Sequence, residues 1–308
     1  MATTEQVIKP FTIQELKGKA DPDWCPGCGD FGVLAALEKA LVDLQIQPYN
    51  VVTISGIGCS SNLPGYINTY GMHTLHGRAL AVATGVKLAN HDLTVVVTGG
   101  DGDGFGIGGN HFIHTMRRNV DLLYLAMDNQ IYGLTTGQVS PTSAIGMKTK
   151  STPFGSVEGP INPITLALAA GCTFVARGFS GEQKQLTDLI KQGLKHKGFS
   201  FIDVFSPLRD LQSRQHLPVV QAARQEAGGG FDLRFFQLAD GHRALAPVGR
   251  GHPHRQILPA RRPAIARPGR ARARHWRPAG ASRARHTRGD YAGVCDGVDV
   301  TGLRCPLR

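Results

Sequence analysis

Lysine is absent from the last third of this sequence. Residues 208–308 contain 19 Arg, no Lys and 7 acidic residues, which gives this segment a formal net charge of +12. Residues 1–207 contain 11 Lys, 4 Arg and 16 acidic residues, for a net charge of −1. The overall charge of +11 therefore comes from the last third alone. By itself it does not indicate a protein that binds nucleic acid or membranes.

Long apolar runs are missing as well. No stretch approaches the ~18 apolar residues of a membrane-spanning helix, and the first 19 residues lack the apolar segment of a secretory signal. Six cysteines in a chain of 308 residues without an export signal argue against a disulfide scaffold. We therefore expect a cytoplasmic protein with no membrane anchor. Its Cys25 and Cys28 form a metal clip, a redox pair or an ordinary turn.

Apolar, β-branched runs alternate with helical patterns along residues 1–207. The predicted strands are 50–55, 93–98, 121–128, 173–177 and 199–205, and the predicted helices are 30–44, about 77–90, 107–118, 163–170 and 181–196. This alternation predicts one α/β domain over 1–207, with a parallel sheet and helices on both faces. Ligands of such sheets bind at the carboxyl ends of the strands.

A glycine-rich segment, GGDGDGFGIGGN, follows the second predicted strand and is predicted to be a loop. Glycine lets backbone N–H groups approach a diphosphate, and an Asp among them needs a cation such as Mg²⁺ beside the phosphates. Asn129 directly follows the next strand, 28 residues after Asp101, and offers a second oxygen ligand. The pattern favours a Mg²⁺–diphosphate site over a simple turn with solvated aspartates.

This combination resembles the diphosphate-binding domain of thiamine-diphosphate enzymes. The resemblance implies that Asp101, Asn129 and the backbone carbonyl of Ile131 bind Mg²⁺. Read in order, the motifs WCPGCGD, SGIGCSS, LHGRA, GGDGDG, DNQIYGLTTGQ and SPT resemble the β subunit of 2-oxoacid:ferredoxin oxidoreductases, above all the 2-oxoglutarate branch. The resemblance covers essentially all of residues 1–207.

Two cofactors are implied by this resemblance, thiamine diphosphate and one [4Fe–4S] cluster. Cys25, Cys28 and Cys59 correspond to three of the cluster ligands, and four thiolates are normally required. Three unrelated buried thiols are the alternative. The residues implied to contact or line the thiamine cofactor are Ile57, Gly58, Cys59, Ser60, His76, Gly102, Asp103, Gly133 and Leu134. His76 is also the candidate catalytic residue, unless it is only a structural histidine at a helix start.

The activity implied by the resemblance is the oxidative decarboxylation of a 2-oxoacid, 2-oxoglutarate above all. Coenzyme A takes the acyl group, ferredoxin takes the electrons, and a separate α subunit holds the pyrimidine ring of the cofactor. A non-oxidative thiamine-diphosphate decarboxylase subunit is a second hypothesis, and it needs none of the cysteines. A basic nucleic-acid-binding protein is the third, acting non-specifically through the Arg-rich tail.

The resemblance stops at Pro207. Position 208 is Leu, where the family's Ser-Pro-Cys supplies the fourth cluster ligand, and the strand–helix alternation ends there. One C inserted after the codon of Pro207 would convert codons for PCVTFNRDNTYQWF into codons for PLRDLQSRQHLPVV, the sequence of 207–220. We interpret 208–308 as an out-of-frame, low-order tail. A substitute fourth ligand would have to come from Cys172, Cys295, Cys305 or a partner.

Overall fold

The computed structural model describes residues 10–208. Its strands are β1 (Val51–Ser55), β2 (Tyr70–His73), β3 (Thr94–Gly100), β4 (Leu122–Asp128), β5 (Ile131–Tyr132), β6 (Gln138–Val139), β7 (Phe174–Phe179) and β8 (Phe199–Phe205). Its α-helices are α1 (Ile13–Leu16), α2 (Asp30–Asp43), α3 (Leu63–Tyr66), α4 (Ala79–Ala89), α5 (Gly109–Arg117), α6 (Pro163–Ala169) and α7 (Gln183–Lys195). The predicted tail beyond Leu208, with Cys295 and Cys305, lies outside the described residues.

Six of the strands form one sheet in the order β2-β1-β3-β4-β8-β7. Every neighbouring pair in it is parallel. β5 and β6 pair separately as a small antiparallel hairpin. The predicted α/β fold is confirmed, and each of the five predicted strands corresponds to a strand of this sheet.

Apolar side chains cover both faces of the sheet. On one face, Leu37 of α2 and Leu186 of α7 belong to the same buried cluster as Ile202 of β8. On the other face, the ring of Phe112 from α5 lies 4.9 Å from the ring of Phe201 from β8, centroid to centroid. Such burial on both sides explains why the central strands read as continuous apolar runs.

The edge strand β2 was missed by the sequence analysis. Its four residues, YGMH, are all exposed, so they show neither an apolar run nor an alternation of apolar and polar residues. The short elements α1, α3, β5 and β6 were missed too, because two to four residues are too few to establish a period.

The prediction of a loop for the glycine-rich segment was wrong. The chain turns helical at Asp101, forms a π-helical turn over Gly102–Ile107 and continues as α5. A Cβ atom on Gly102 would lie 2.2 Å from Tyr132, and one on Gly104 would lie 1.9 Å from the hydroxyl of Tyr124. The glycines therefore allow a helical turn to pack tightly against two tyrosines.

No helix within residues 10–208 combines the length and the apolar character that a membrane span requires.

Candidate functional site

The carboxyl ends of β1, β3 and β4 open into one cleft with an empty volume of about 650 Å³. The cleft is lined by all residues predicted to contact the thiamine cofactor and all predicted Mg²⁺ ligands: Ile57, Gly58, Cys59, Ser60, His76, Asp101, Gly102, Asp103, Asn129, Ile131, Gly133 and Leu134. The parallel sheet thus brings together residues that are far apart in the sequence. Their individual roles stay predictions.

The loop after β1 presents backbone and hydroxyl groups to the cleft. Gly58 has a φ of +120°, a conformation that strongly favours glycine. The hydroxyl of Ser60 is buried and has no hydrogen-bond partner among the described residues. Because buried hydroxyls are normally paired, this group fits a bound ligand that supplies the missing partner.

Asp103 connects three of the loops around the cleft. Its Oδ1 accepts hydrogen bonds from the backbone N–H of Ile57 at 2.9 Å and of Gly77 at 2.7 Å. The same oxygen lies 2.6 Å from Nδ1 of His76. Asp103 lines the cleft as predicted. Its Oδ1, however, accepts hydrogen bonds from backbone N–H groups of the protein, and the carboxylate thereby connects the loops.

Asp101 is the carboxylate best suited to a cation. It is 2% exposed, and burial raises its pKa to about 6. The neighbouring Asp128 is also buried, and its pKa is raised well above the usual range by burial and then by the charges of Asp101 and Asp203. A divalent cation at Asp101 would offset this cost of buried negative charge, so the residues fit the predicted Mg²⁺.

The turn after β4 places the other predicted Mg²⁺ ligands. Gln130 has a φ of +59°, and Oδ1 of Asn129 accepts a hydrogen bond from the N–H of Ile131 at 3.0 Å. Tyr132 donates its hydroxyl proton to the carbonyl of Gly102 at 3.0 Å. The first bond closes the turn, and the second fastens it to the helical turn after β3.

The predicted cluster cysteines lie on two loops that Trp24 joins. The N–H of Cys28 donates to the carbonyl of Cys25 at 2.9 Å, which closes the turn before α2. The indole N–H of Trp24 donates to the carbonyl of Cys59 at 2.7 Å. Cys25 is exposed, Cys28 is buried and Cys59 is partly buried.

Burial and nearby negative charge disfavour free thiolates at Cys28 and Cys59. Burial, followed by the charge of Asp30, raises the pKa of Cys28 to about 12 and that of Cys59 to about 11. Within residues 10–208, no three His, Cys, Asp or Glu side chains converge closely enough to hold a single metal ion. Cys25 and Cys59 both contribute to the raised pKa of Cys28, so the three thiols lie near one another, and their role as cluster ligands stays a prediction.

Leu208 occupies the region where the fourth thiolate is predicted. It is 4% exposed and belongs to the same buried cluster as Cys28, against which Cys59 also packs. A Cβ atom built on Gly133 would lie 2.7 Å from Cδ1 of Leu208 and 3.8 Å from Sγ of Cys59. Position 208 therefore places a methyl group, and no thiol, on the side of Gly133 where Cys59 also lies.

Several residues of the site were missed by the sequence analysis: Asp30, Gly100, Met127, Tyr132, Thr135 and Thr142. The first five line the cleft. Asp30 and Tyr132 stand inside the motifs WCPGCGD and DNQIYGLTTGQ, and their position in those motifs was the available signal. Thr142 lies in SPT but contacts the site only through the fold.

Comparison with known proteins identifies the family. The model for the C-terminal TPP-binding domain of thiamine pyrophosphate enzymes matches residues 56–204. The 2-oxoacid:ferredoxin oxidoreductase subunit beta of a Sulfolobus species is 54% identical over 187 residues, which are 60% of this chain and 61% of that protein. The 2-oxoglutarate synthase subunit KorB of Methanocaldococcus jannaschii is 49% identical over 183 residues, 59% of this chain and 68% of that protein. The chain belongs to the family of 2-oxoacid:ferredoxin oxidoreductase β subunits.

A solved structure of the same family supports the fold. The 2-oxoglutarate:ferredoxin oxidoreductase from Magnetococcus marinus, with 2-oxoglutarate, coenzyme A and succinyl-CoA bound, is 48% identical in sequence. The superposition of the two structures has a TM-score of 0.64 and covers 64% of this chain and 68% of the other. The chain spans about three fifths of the length of the Sulfolobus relative, and the match to the family model ends four residues before Leu208.

Proposed function

We propose that the chain is the β subunit of a CoA-acylating 2-oxoacid:ferredoxin oxidoreductase that uses thiamine diphosphate, Mg²⁺ and an iron–sulfur cluster. One observation carries the proposal: the predicted diphosphate, Mg²⁺ and third cysteine residues all line a single cleft at the carboxyl ends of β1, β3 and β4. Family membership supports the reaction type, and 2-oxoglutarate is the proposed substrate because it is bound in the Magnetococcus marinus enzyme.

The diphosphate and its cation are assigned to the helical turn after β3 and the turn after β4. Asp101, Asn129 and the carbonyl of Ile131 would hold Mg²⁺, and the backbones of Gly102 and Gly133, which line the same cleft, would lie beside the phosphates. Ser60, with its unpaired buried hydroxyl, would donate to the cofactor. Bound thiamine diphosphate supplies the electron sink for decarboxylation, and the protein supplies orientation and electrostatics.

His76 is assigned to the wall of the cleft, beside the proposed cofactor. Its Nδ1 is engaged by Asp103, so Nε2 is the ring atom left to face a ligand in the cleft. Its ring lies edge-on to the ring of Tyr132, with the two centroids 6.3 Å apart. His76 would hold or move a proton at Nε2 while Asp103 fixes the orientation of the imidazole.

Cys25, Cys28 and Cys59 are assigned to the cluster. Electrons leaving the cofactor need an acceptor nearby, and Cys59 lines the cofactor cleft while packing against the buried apolar side chains to which Cys28 belongs. The exposed Cys25 lies at the surface, on the side from which ferredoxin would collect the electrons. An α subunit would supply the pyrimidine-binding half of the site.

An activity assay tests the proposal. The chain, and a Leu208→Cys variant beside it, is co-expressed with the α subunit and assayed for viologen reduction with 2-oxoglutarate, pyruvate and other 2-oxoacids. We expect the viologen to be reduced only when coenzyme A and thiamine diphosphate are present. We also expect Asp101→Asn to abolish this reduction. CO₂ release without viologen reduction and without bound iron would favour a non-oxidative decarboxylase. This is the second candidate because Leu208 stands where the fourth cluster ligand is predicted. Absence of any thiamine-dependent activity overturns both.

A further inference from the structure

Thr142 lies behind the cleft, between two buried carboxylates. It is 5% exposed, and its Oγ1 lies 2.6 Å from Oδ2 of Asp101 and 3.0 Å from Oδ1 of Asp128. Asp101 lines the cleft, whereas Thr142 does not. The hydroxyl therefore contacts the predicted Mg²⁺ ligand from the side turned away from this cleft.

The single proton of this hydroxyl can be donated to only one carboxylate oxygen. The contact with Asp101 is the shorter of the two, and a 2.6 Å O–H···O⁻ separation is typical of a charge-assisted hydrogen bond. Together with the hydrogen bond between the Ser140 side chain and Asp101, this bond to Oδ2 fixes the rotation of the Asp101 carboxylate about its Cβ–Cγ bond. The direction in which the other oxygen points is thereby fixed as well.

The turn that carries Thr142 is itself tied to the predicted metal-binding turn after β4. The N–H of Ser140 donates to the hydroxyl of Ser143 at 2.7 Å. The hydroxyl of Ser143 donates to the carbonyl of Gln130 at 2.6 Å, between Asn129 and Ile131. One short segment therefore contacts both sequence regions from which the predicted Mg²⁺ ligands come.

We propose that Thr142 is a positioning residue for the divalent cation, which orients Asp101 and holds it in register with the turn of Asn129 and Ile131. This proposal rests on the proposed function, since it needs Asp101 to be a Mg²⁺ ligand. Partners that orient a metal ligand typically account for about 10–100-fold in metal affinity. Loss of the Thr142 hydroxyl should weaken cation binding without removing a ligand.

Calorimetric titration of the chain in complex with the co-expressed α subunit, using thiamine diphosphate at a series of MgCl₂ concentrations, measures this effect. Thr142→Val keeps the shape of the side chain and removes the donor, while Thr142→Ser keeps the donor. Thr115→Val is the matched control, because Thr115 is 2% exposed and donates only within α5, to the carbonyl of His111 at 2.7 Å. Substituting MnCl₂ and recording its electron paramagnetic resonance gives a readout independent of activity.

We expect Thr142→Val to raise the Mg²⁺ concentration for half-maximal cofactor binding by about 10-fold or more. Thr142→Ser and Thr115→Val should stay within about threefold of the parent chain. Equal Mg²⁺ dependence of Thr142→Val and the parent overturns the proposal. So does a Thr142→Val chain that has lost its circular dichroism, because Thr142 would then be a residue of the core. If the parent complex with the α subunit binds no thiamine diphosphate in a Mg²⁺-dependent way, the proposed function fails first.

Discussion

Nδ1 of His76 lies 2.6 Å from Oδ1 of Asp103, the oxygen that also accepts the N–H groups of Ile57 and Gly77. Residues from the ends of β1 and β2 thus share one acceptor on the helical turn after β3. The loops that form one wall of the cleft are therefore positioned by a single side chain.

Replacing Asp103 by Ala should destabilise the fold. The change leaves two backbone donors without their acceptor, at about 1–3 kcal/mol for each buried group. We expect the free energy of unfolding in urea to fall by about 2–4 kcal/mol. Asp103→Asn, which keeps an amide oxygen, should lose less than half of that, and the exposed Asp188→Ala serves as the control. A loss below about 0.5 kcal/mol for Asp103→Ala would contradict the role given to this carboxylate.

Replacing Leu208 by Cys should increase iron binding. The side chain at this position lies next to Gly133 and Cys59, so a thiolate there can complete the ligand set. After anaerobic reconstitution, we expect Leu208→Cys to approach about four irons per chain with strong visible absorption, and the parent chain to hold fewer. Leu208→Ser is the matched control, since it removes the same apolar volume without adding a thiolate. Equal iron content in the Cys and Ser variants would argue against a ligand position at 208.

A Cβ atom on Gly102 should displace Tyr132. It would lie 2.2 Å from Cε1 of the ring, and the hydroxyl of Tyr132 bonds the carbonyl of Gly102 itself. We expect Gly102→Ala to lower the free energy of unfolding by about 1–3 kcal/mol, as overpacking usually does, and to weaken thiamine diphosphate binding. Gly109→Ala is the control, because nothing lies within 4 Å of its added Cβ. Equal melting temperatures for the two variants would contradict the packing described.

Cys172 should resist alkylation in the folded protein. It is buried against the carbonyl of Phe174, and burial raises the pKa of its thiol to about 12. At pH 8 the thiol therefore stays protonated and inaccessible, whereas the exposed Cys25 reacts. Mass spectrometry after iodoacetamide treatment, with and without denaturing urea, measures the difference. Labelling of Cys172 at the rate of Cys25 in the native chain would contradict this burial.

The same shift predicts how Cys172 affects stability at high pH. Its pKa is raised from 9.0 to about 12 on folding, so above pH 9 the unfolded thiol ionises while the folded thiol does not. The contribution of Cys172 to stability is therefore fully present below pH 9 and is lost as the pH rises toward 12. Urea midpoints of the parent chain and Cys172→Ala across this range should converge; midpoints that stay parallel would oppose the assignment.

The sequence was sufficient to predict the central strands, because burial on both faces demands the apolar runs of β3 and β4. The parallel sheet also predicts that the segments after β1, β3 and β4 meet at one edge, whereas the choice of individual cofactor-contacting residues came from the family resemblance. The exposed strand β2 could not be predicted, because backbone hydrogen bonds to β1 hold it in the sheet and these require no pattern of apolar and polar side chains.

The helical turn after β3 was hidden by its composition. Glycine has low helix propensity, so GDGDGFGIGG indicates a loop, and only the contacts with Tyr124 and Tyr132 make the helical conformation favourable. Thr142 was hidden for a different reason. Its hydrogen bond to Asp101 spans 41 residues, and no local pattern predicts a contact at that distance.

The indole of Trp24 gives the chain an optical reporter of its own. The sequence contains two tryptophans, and Trp24 is the one within residues 10–208. Its N–H is bound to the carbonyl of Cys59, and its ring lies edge-on to Phe31 and Tyr66 at centroid distances of 5.3 Å and 4.9 Å. Fluorescence from this fluorophore therefore originates where the two cysteine loops meet, so its emission and quenching register any rearrangement of that junction without an added label.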